Sequence, residues 1–174
     1  MSVLVAFLSL AIESVFGYPD RLFRAIGHPV TWFGWLISFL DRTLNHAADS
    51  DARRRGRGVA ALLVIVMVPA AIAFGIETLL AVLPAGFLAT AVLASVLPSQ
   101  RSLASHVRAV SDALDTGGLP AGRKAVSMIV GRDPEKLDEA GVGRAAIESL
   151  AENFSDGIVA PAFWTAVGGL AGGV

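Results

Sequence analysis

Four apolar stretches and two polar segments make up the chain. Residues 2–17 are apolar apart from Glu13, residues 59–76 carry no charge over eighteen positions, and residues 78–100 carry none over twenty-three more, with Glu77 alone between them. Residues 158–174 are apolar again. A membrane-spanning helix needs about 17 to 25 predominantly apolar residues. The pattern therefore predicts an all-α, polytopic integral membrane protein, with spans at about 2–17, 59–76, 78–98 and 158–174 and helical polar loops at about 18–57 and 101–156. For 59–100 a single tilted helix is the alternative to a hairpin. It would hold Glu77 near the middle of the bilayer, at a cost of about 3 kcal/mol on insertion scales, and would carry Pro69 and Pro84 in its interior. A hairpin with a tight turn at residues 75–77 avoids both penalties and is the expectation. In residues 31–40, Trp32 and Trp35 are one helical turn apart. Tryptophan favours the headgroup level, so a shallow or re-entrant helix is expected there, with belt anchoring preferred to cofactor stacking.

Composition agrees with that picture. Of 174 residues 54% are apolar and 17% charged, against roughly 25% charged in an ordinary soluble domain, and mean hydropathy is +0.63. The absence of cysteine excludes a disulfide framework, a zinc–thiolate site, an iron–sulfur cluster and a thiol nucleophile. Nucleic acid is not an expected partner; membrane lipid is. The net charge of −1 hides an uneven distribution: of 14 Lys and Arg, seven lie in 21–57 and seven in 101–144, with none in 58–100 or after 144. The hairpin puts both basic blocks on one side, which the positive-inside rule makes the cytoplasm, with Arg53, Arg54, Arg55 and Arg57 as the strongest anchor and Glu77 facing outward. Residues 2–17 lack the basic n-region and small-residue cleavage site of a signal peptide and are expected to be retained, with Glu13 at the interface or facing a partner helix. The last apolar stretch ends in Gly172, Gly173 and Val174 with no polar flank, as expected of a chain that continues.

Chemistry is expected in 101–157, which holds most of the acidic groups. Leu103, Val107, Val110 and Leu114 predict a surface helix over 101–114. Gly117, Gly118 and Pro120 end it, and a second helix follows over about 121–130. Gly117 and Gly122 have the interval of a phosphate-binding P-loop, but Arg123 and Lys124 follow where Lys and a hydroxyl are required, so the match fails. Asp133 can cap a helix beginning at Pro134, while Arg132 in the same turn can grip a phosphate or carboxylate bidentately. Glu148, Glu152 and Asp156 are spaced i, i+4, i+8, an acidic stripe with Asn153 beside it and Arg144 one turn earlier. Like charges at that spacing repel. The stripe is either a hard-cation site, where magnesium takes one or two carboxylates and shares its other positions with water and substrate phosphate, or a solvated face partly neutralised by Arg144. His28 precedes Pro29 and projects from a turn, with ligand binding and simple solvation both open. His46 and His106 have no special setting.

Gly17 and Pro19, then His28, Pro29, Val30 and Gly34, the run Ile129, Val130, Gly131, Arg132 and Asp133, the run from Glu148 and Glu152 through Asn153, Ser155 and Asp156 to Gly157, and finally Ala160, Pro161, Gly168 and Gly169 occur in this order. Together they resemble the cobalamin biosynthesis family CobD/CbiB, adenosylcobinamide-phosphate synthase, along the whole chain; the G-R-D and E-N-x-S-D-G pair is the specific part. The resemblance implies a multi-pass enzyme of the inner (cell) membrane. It would join aminopropanol phosphate, or ethanolamine phosphate, by an amide bond to adenosylcobyric acid, a corrinoid, giving adenosylcobinamide phosphate. A carboxylate is a poor electrophile, so the resemblance also implies an ATP-dependent ligase using Mg2+ and passing through an acyl-phosphate-like intermediate. Glu148, Glu152, Asn153 and Asp156 become the catalytic candidates, Glu148, Glu152 and Asp156 the metal ligands, and His28, Arg132 and Asp133 the substrate-binding residues. Other membrane enzymes of cobalamin synthesis are implied as partners. In two places the chain departs from the family: Tyr18 stands where an acidic residue is usual, and the family's later Tyr-Lys, Asn-Thr and Asp-Ser-Met motifs are not among these 174 residues. The alternative from another class is a non-enzymatic, AmpE-like membrane signalling or scaffold protein.

The charge asymmetry makes a direct prediction. In cysteine variants labelled on intact cells with an impermeant thiol reagent, Thr78→Cys should react from outside, whereas Ser50→Cys and Ser111→Cys should react only after the membrane is opened. The reverse pattern would invert the topology.

Overall fold

The computed structural model describes every residue except Arg132, and of Asp20 the backbone alone. Among the described residues there is no strand, and the all-α expectation holds. The helices are α1 (Ser2–Phe16), α2 (Asp20–Ile26), α3 (Pro29–Leu44), α4 (Asp51–Ala81), α5 (Gly86–Ala94), α6 (Gln100–Val126), α7 (Glu139–Phe154) and α8 (Ala160–Gly173). A 3₁₀ turn, Pro134–Lys136, precedes α7, and a π turn, Ser155–Val159, joins α7 to α8. The predicted break between 114 and 121 is a kink inside α6 at Gly118, whose φ of 63° and ψ of −161° leave the helical region.

With 31 residues and a length of about 46 Å, α4 by itself is long and apolar enough to cross a membrane; α1 passes the same test only as a bent pair with Arg21–Leu44. Helices α1, α5 and α8 are about 22, 14 and 21 Å long, short of a hydrocarbon core about 30 Å thick. The expected turn at residues 75–77 does not form. Gly75 and Glu77 are helical, and the chain reverses at residues 82–85, where Ala85 takes a left-handed φ of 57° beside Pro84. The hairpin is present but later, and its first arm contains both Pro69 and Glu77. Physically, Glu77 has no need of a solvated loop because it has a partner: the N–H of Leu170 donates to its Oε2 at 3.0 Å. That N–H is available because α8 breaks at Gly169 (φ 66°, ψ −156°). A Cβ at Gly169 would meet the Glu77 carboxylate at 2.5 Å, so both backbone angle and space demand glycine there.

A second carboxylate organises the opposite end. Glu13 is 4% exposed and accepts the backbone N–H groups of Gln100 (3.1 Å) and Arg101 (3.0 Å) together with the side-chain amide of Gln100 (3.1 Å). The two backbone groups are first-turn donors of α6 that have no partner within their own helix. Glu13 thus faces a partner helix, the second of its two expected settings. The Arg101 guanidinium also donates to the Val15 carbonyl at 2.6 Å, and the Ser99 N–H to the Gly157 carbonyl at 3.0 Å. The end of α1, the start of α6 and the approach to α8 therefore lie together, and both polar segments leave the apolar helices from this same end.

Two cores result. Val5, Ala73, Ala91, Ala94 and Leu170 unite α1, α4, α5 and α8, their alanines allowing close backbone approach. Val110, Val126, Val142, Ala145 and Ala146 join α6 to α7. Leu62, Leu63, Val66 and Met67 on α4 remain exposed, a run of apolar surface of the kind that marks a lipid or protein contact.

Glu13→Ala strands part-buried donors of α6 and should lower stability by about 2 kcal/mol, while Glu13→Gln, which keeps one acceptor oxygen, should lose about half of that. Thermal unfolding of the detergent-solubilised protein followed by tryptophan fluorescence measures both. An unchanged midpoint for Glu13→Ala would show that the cap does not hold α6.

Candidate functional site

Helix α7 is capped by Asp138, whose Oδ1 accepts the Gly141 N–H at 2.7 Å. Its buried face, Val142, Ala145, Ala146 and Ser149, packs on Val110 and Val126 of α6. With that face fixed, Glu148 and Glu152 lie on the exposed side. Arg144 pairs with Asp138 at 3.9 Å. The wider π turn begins at Ser155, so the α-helical spacing that aligns Glu148 with Glu152 does not run unaltered to Asp156, which is also exposed. Single π turns within helices recur at functional sites. Among the described residues no three His, Asp or Glu side chains group as a self-contained metal site. Two carboxylates one turn apart do match magnesium's preference for few protein ligands and substrate oxygens.

A cavity of about 320 Å³ lies beside this helix, lined by Ser99, Ser102 and His106 from the start of α6, by Met128, Ile129 and Val130 from the segment after it, and by Asn153 of α7. The Asn153 amide donates to the carbonyl (2.8 Å) and Oγ (3.1 Å) of Ser149, and Ser149 Oγ donates to the Ile129 carbonyl at 2.5 Å. This relay ties α7 to the segment preceding Arg132. His106 Nδ1 lies 2.8 Å from the Ser102 carbonyl. A carbonyl can only accept, so Nδ1 carries the proton in this arrangement and Nε2 of the neutral ring is left as an acceptor. Nothing in the sequence around His106 singles it out; only the fold of α6 against α7 places it on the same cavity as Asn153.

The remaining candidates are dispersed. Arg132 lies outside the described residues. Asp133 caps the 3₁₀ turn, as the sequence predicts, accepting the Glu135 N–H at 3.1 Å with Lys136 at 3.8 Å. Arg123 braces the same loop: its Nε donates to the Leu137 carbonyl at 2.8 Å and its guanidinium sits 3.7 Å from Glu135. His28 immediately precedes α3, which packs on α4, whereas Glu148 and Glu152 are on α7, which packs on α6. Its Nδ1 accepts the Val30 N–H at 3.2 Å, capping α3, and its ring meets Tyr18 edge-on with centroids 4.5 Å apart. The Tyr18 hydroxyl in turn donates to the Gly27 carbonyl at 2.7 Å.

Comparison with known proteins is decisive at the level of family: the model described as CobD/Cbib protein matches residues 6–174. The chain belongs to the CobD/Cbib family. It is 54% identical over 171 residues to the cobalamin biosynthesis protein CobD of Sinorhizobium sp, covering 98% of this chain and 53% of that protein. Proteins of the same name from Rhizobium meliloti (strain 1021) and Brucella suis biovar 1 (strain 1330) are 47% and 46% identical, over 98% and 99% of this chain and 52% and 53% of theirs. The chain thus spans about half the length of the curated relatives it matches. No solved structure matches it.

Burial lowers the pKa of His28 from its ordinary value of 6.5, and the bond from Val30 requires an unprotonated Nδ1. The unfolded chain therefore binds this proton more readily than the folded one. The stabilisation is complete above about pH 6.5 and is lost as pH falls through the depressed folded value. His28→Asn keeps a capping oxygen but does not titrate. Between about pH 7.5 and about pH 5 the unfolding midpoint of the wild type should fall further than that of His28→Asn; parallel declines would count against it.

Proposed function

We propose that this chain is part of a multi-pass, inner-membrane ligase of cobalamin biosynthesis. Its reaction joins the amine of aminopropanol phosphate, or ethanolamine phosphate, to a propionate carboxyl of adenosylcobyric acid, giving adenosylcobinamide phosphate. The observation that carries the reading is that α7, which exposes Glu148 and Glu152, also supplies Asn153 to a polar cavity that His106 lines, in a chain whose relatives are named for cobalamin biosynthesis. For the multi-pass arrangement, the support is the length of α4 and the shared polar end of α1, α6 and α8.

In this reading the substrate carboxylate takes the γ-phosphoryl group of ATP, forming an acyl phosphate and ADP. The amine nitrogen then attacks the acyl carbon, the amide bond forms and phosphate leaves. Of the two protons the ammonium gives up, the first goes to His106 Nε2, freed for this by the Nδ1 contact with Ser102, and the second leaves with phosphate. Asn153 orients the substrate, Arg132 grips the amine substrate's phosphate, and Asp133 shapes the turn that carries Arg132. A magnesium ion held by Glu148 and Glu152, with Asp156 nearby in the chain, would neutralise phosphate charge.

In the full-length protein, Glu148→Gln, Glu152→Gln and His106→Gln should each lower kcat/KM for amide formation by about a hundredfold or more, whereas Arg108→Ala, on the exposed side of α6, should leave it unchanged. Wild-type rates in both carboxylate variants, at wild-type protein levels, would leave the α7 acids as a solvated face.

A further inference from the structure

A cavity of about 620 Å³ lies between α3 and the first half of α4, with Arg54, Arg55 and Arg57 at one end and Leu40, Ala61 and Ile65 along its floor. A second cleft of about 340 Å³, lined by Phe33, Leu36, Val68 and Ile72 among other apolar side chains, occupies the next turns of the same two helices. The charges at the basic end are unevenly matched. Arg53 and Arg57 both pair with Asp49, and the hydrogen bond from Arg53 holds the Asp49 carboxyl below its usual range. Arg54 donates through Nε (3.3 Å) and Nη2 (3.2 Å) to Asn45 Oδ1, a neutral partner. Arg55 has no ion-pair partner among the described residues, and although Asp41 and Asp51 also line the cavity, neither comes within ion-pair distance of an arginine. Arg54, held by a neutral partner, and Arg55, which makes no ion pair among the described residues, thus stand at the head of an apolar seam, within about a turn of Val59, where the uncharged run of α4 begins. A free phosphate would leave the seam empty, and a zwitterionic headgroup would bring its own cation against the arginines.

We propose that the α3–α4 seam binds one anionic phospholipid, its phosphate on Arg54 and Arg55 and an acyl chain along Leu40, Ile65 and the apolar cleft beyond. Basic pockets between helices at the cytoplasmic face of a membrane recognise such headgroups, and guanidinium forks suit phosphate oxygens. The proposal rests on the reading that α4 lies in a membrane.

The test places the protein, in its natural length, in nanodiscs of phosphatidylcholine with a minor fraction of phosphatidylglycerol and counts retained lipids by native mass spectrometry. Phosphatidylglycerol should be enriched on the wild type, and the double variant Arg54→Gln/Arg55→Gln should lose roughly tenfold of that enrichment. Ile65→Trp, which fills the floor and spares both arginines, should lower it too, and Arg108→Gln should not. Equal enrichment in the double variant overturns the proposal. So does displacement of the lipid by inorganic phosphate, which would make the site one for a free anion. Absence of enrichment on the wild type also overturns it, as expected if another protein segment closes the seam. An alkaline carbonate wash separates the two readings: release from membranes removes the membrane reading and the lipid site together, whereas retention with unaltered enrichment in the double variant removes the lipid site alone.

Discussion

The buried carboxylate of Glu13 is the contact on which the polar half of the molecule depends. Helix α6 begins against the end of α1, and its first two N–H groups have no acceptor within their own helix; the buried Glu13 supplies both acceptors and also takes the Gln100 amide. A charged acceptor strengthens such bonds roughly twofold over a neutral one. Leaving these part-buried donors unpaired would cost at least as much as the bonds themselves contribute. Once the start of α6 is fixed, Ser99 can reach the Gly157 carbonyl, and the same end of the molecule collects the approach to α8, the 99–106 edge of the polar cavity and, through the α6–α7 core, the acids of α7.

Glu77 does the corresponding work at the other end. Its carboxylate takes the N–H released where α8 breaks at Gly169, so a single acid makes a broken helix tolerable among apolar neighbours. The two glutamates explain why otherwise uncharged stretches each carry one acid: both serve as caps for helices distant in sequence. The alanine-rich core between them allows α1, α5 and α8 to pack closely although each is too short to cross a bilayer alone.

The site follows from packing rather than from a motif. Asn153 is held by Ser149, Ser149 by Ile129, and this chain of bonds brings α7 to the turn before Arg132. The π turn at Ser155–Val159 then redirects the chain into α8 without a loop, joining the exposed acids directly to the apolar helices.

Much of this was legible in the residue pattern. The helical class, the uncharged run of α4, the break at Gly118, the cap at Asp133 and the grouping of both polar segments at one end all follow from local propensity, hydrophobic periodicity and charge distribution, which act along the chain. What the pattern could not contain were the long-range partners. It placed a turn at residues 75–77 because an isolated Glu77 is costly in an apolar run, and the Leu170 N–H that removes the cost is 93 positions away. It left Glu13 between interface and partner helix because its acceptors serve donors 87 and 88 positions on. It passed over His106, ordinary in its own helix, because only the docking of α7 on α6 sets it beside Asn153. Local chemistry settles which segments are helices and where they break; which buried polar group satisfies which is decided when those helices pack, since only then does each lose its water and require a partner.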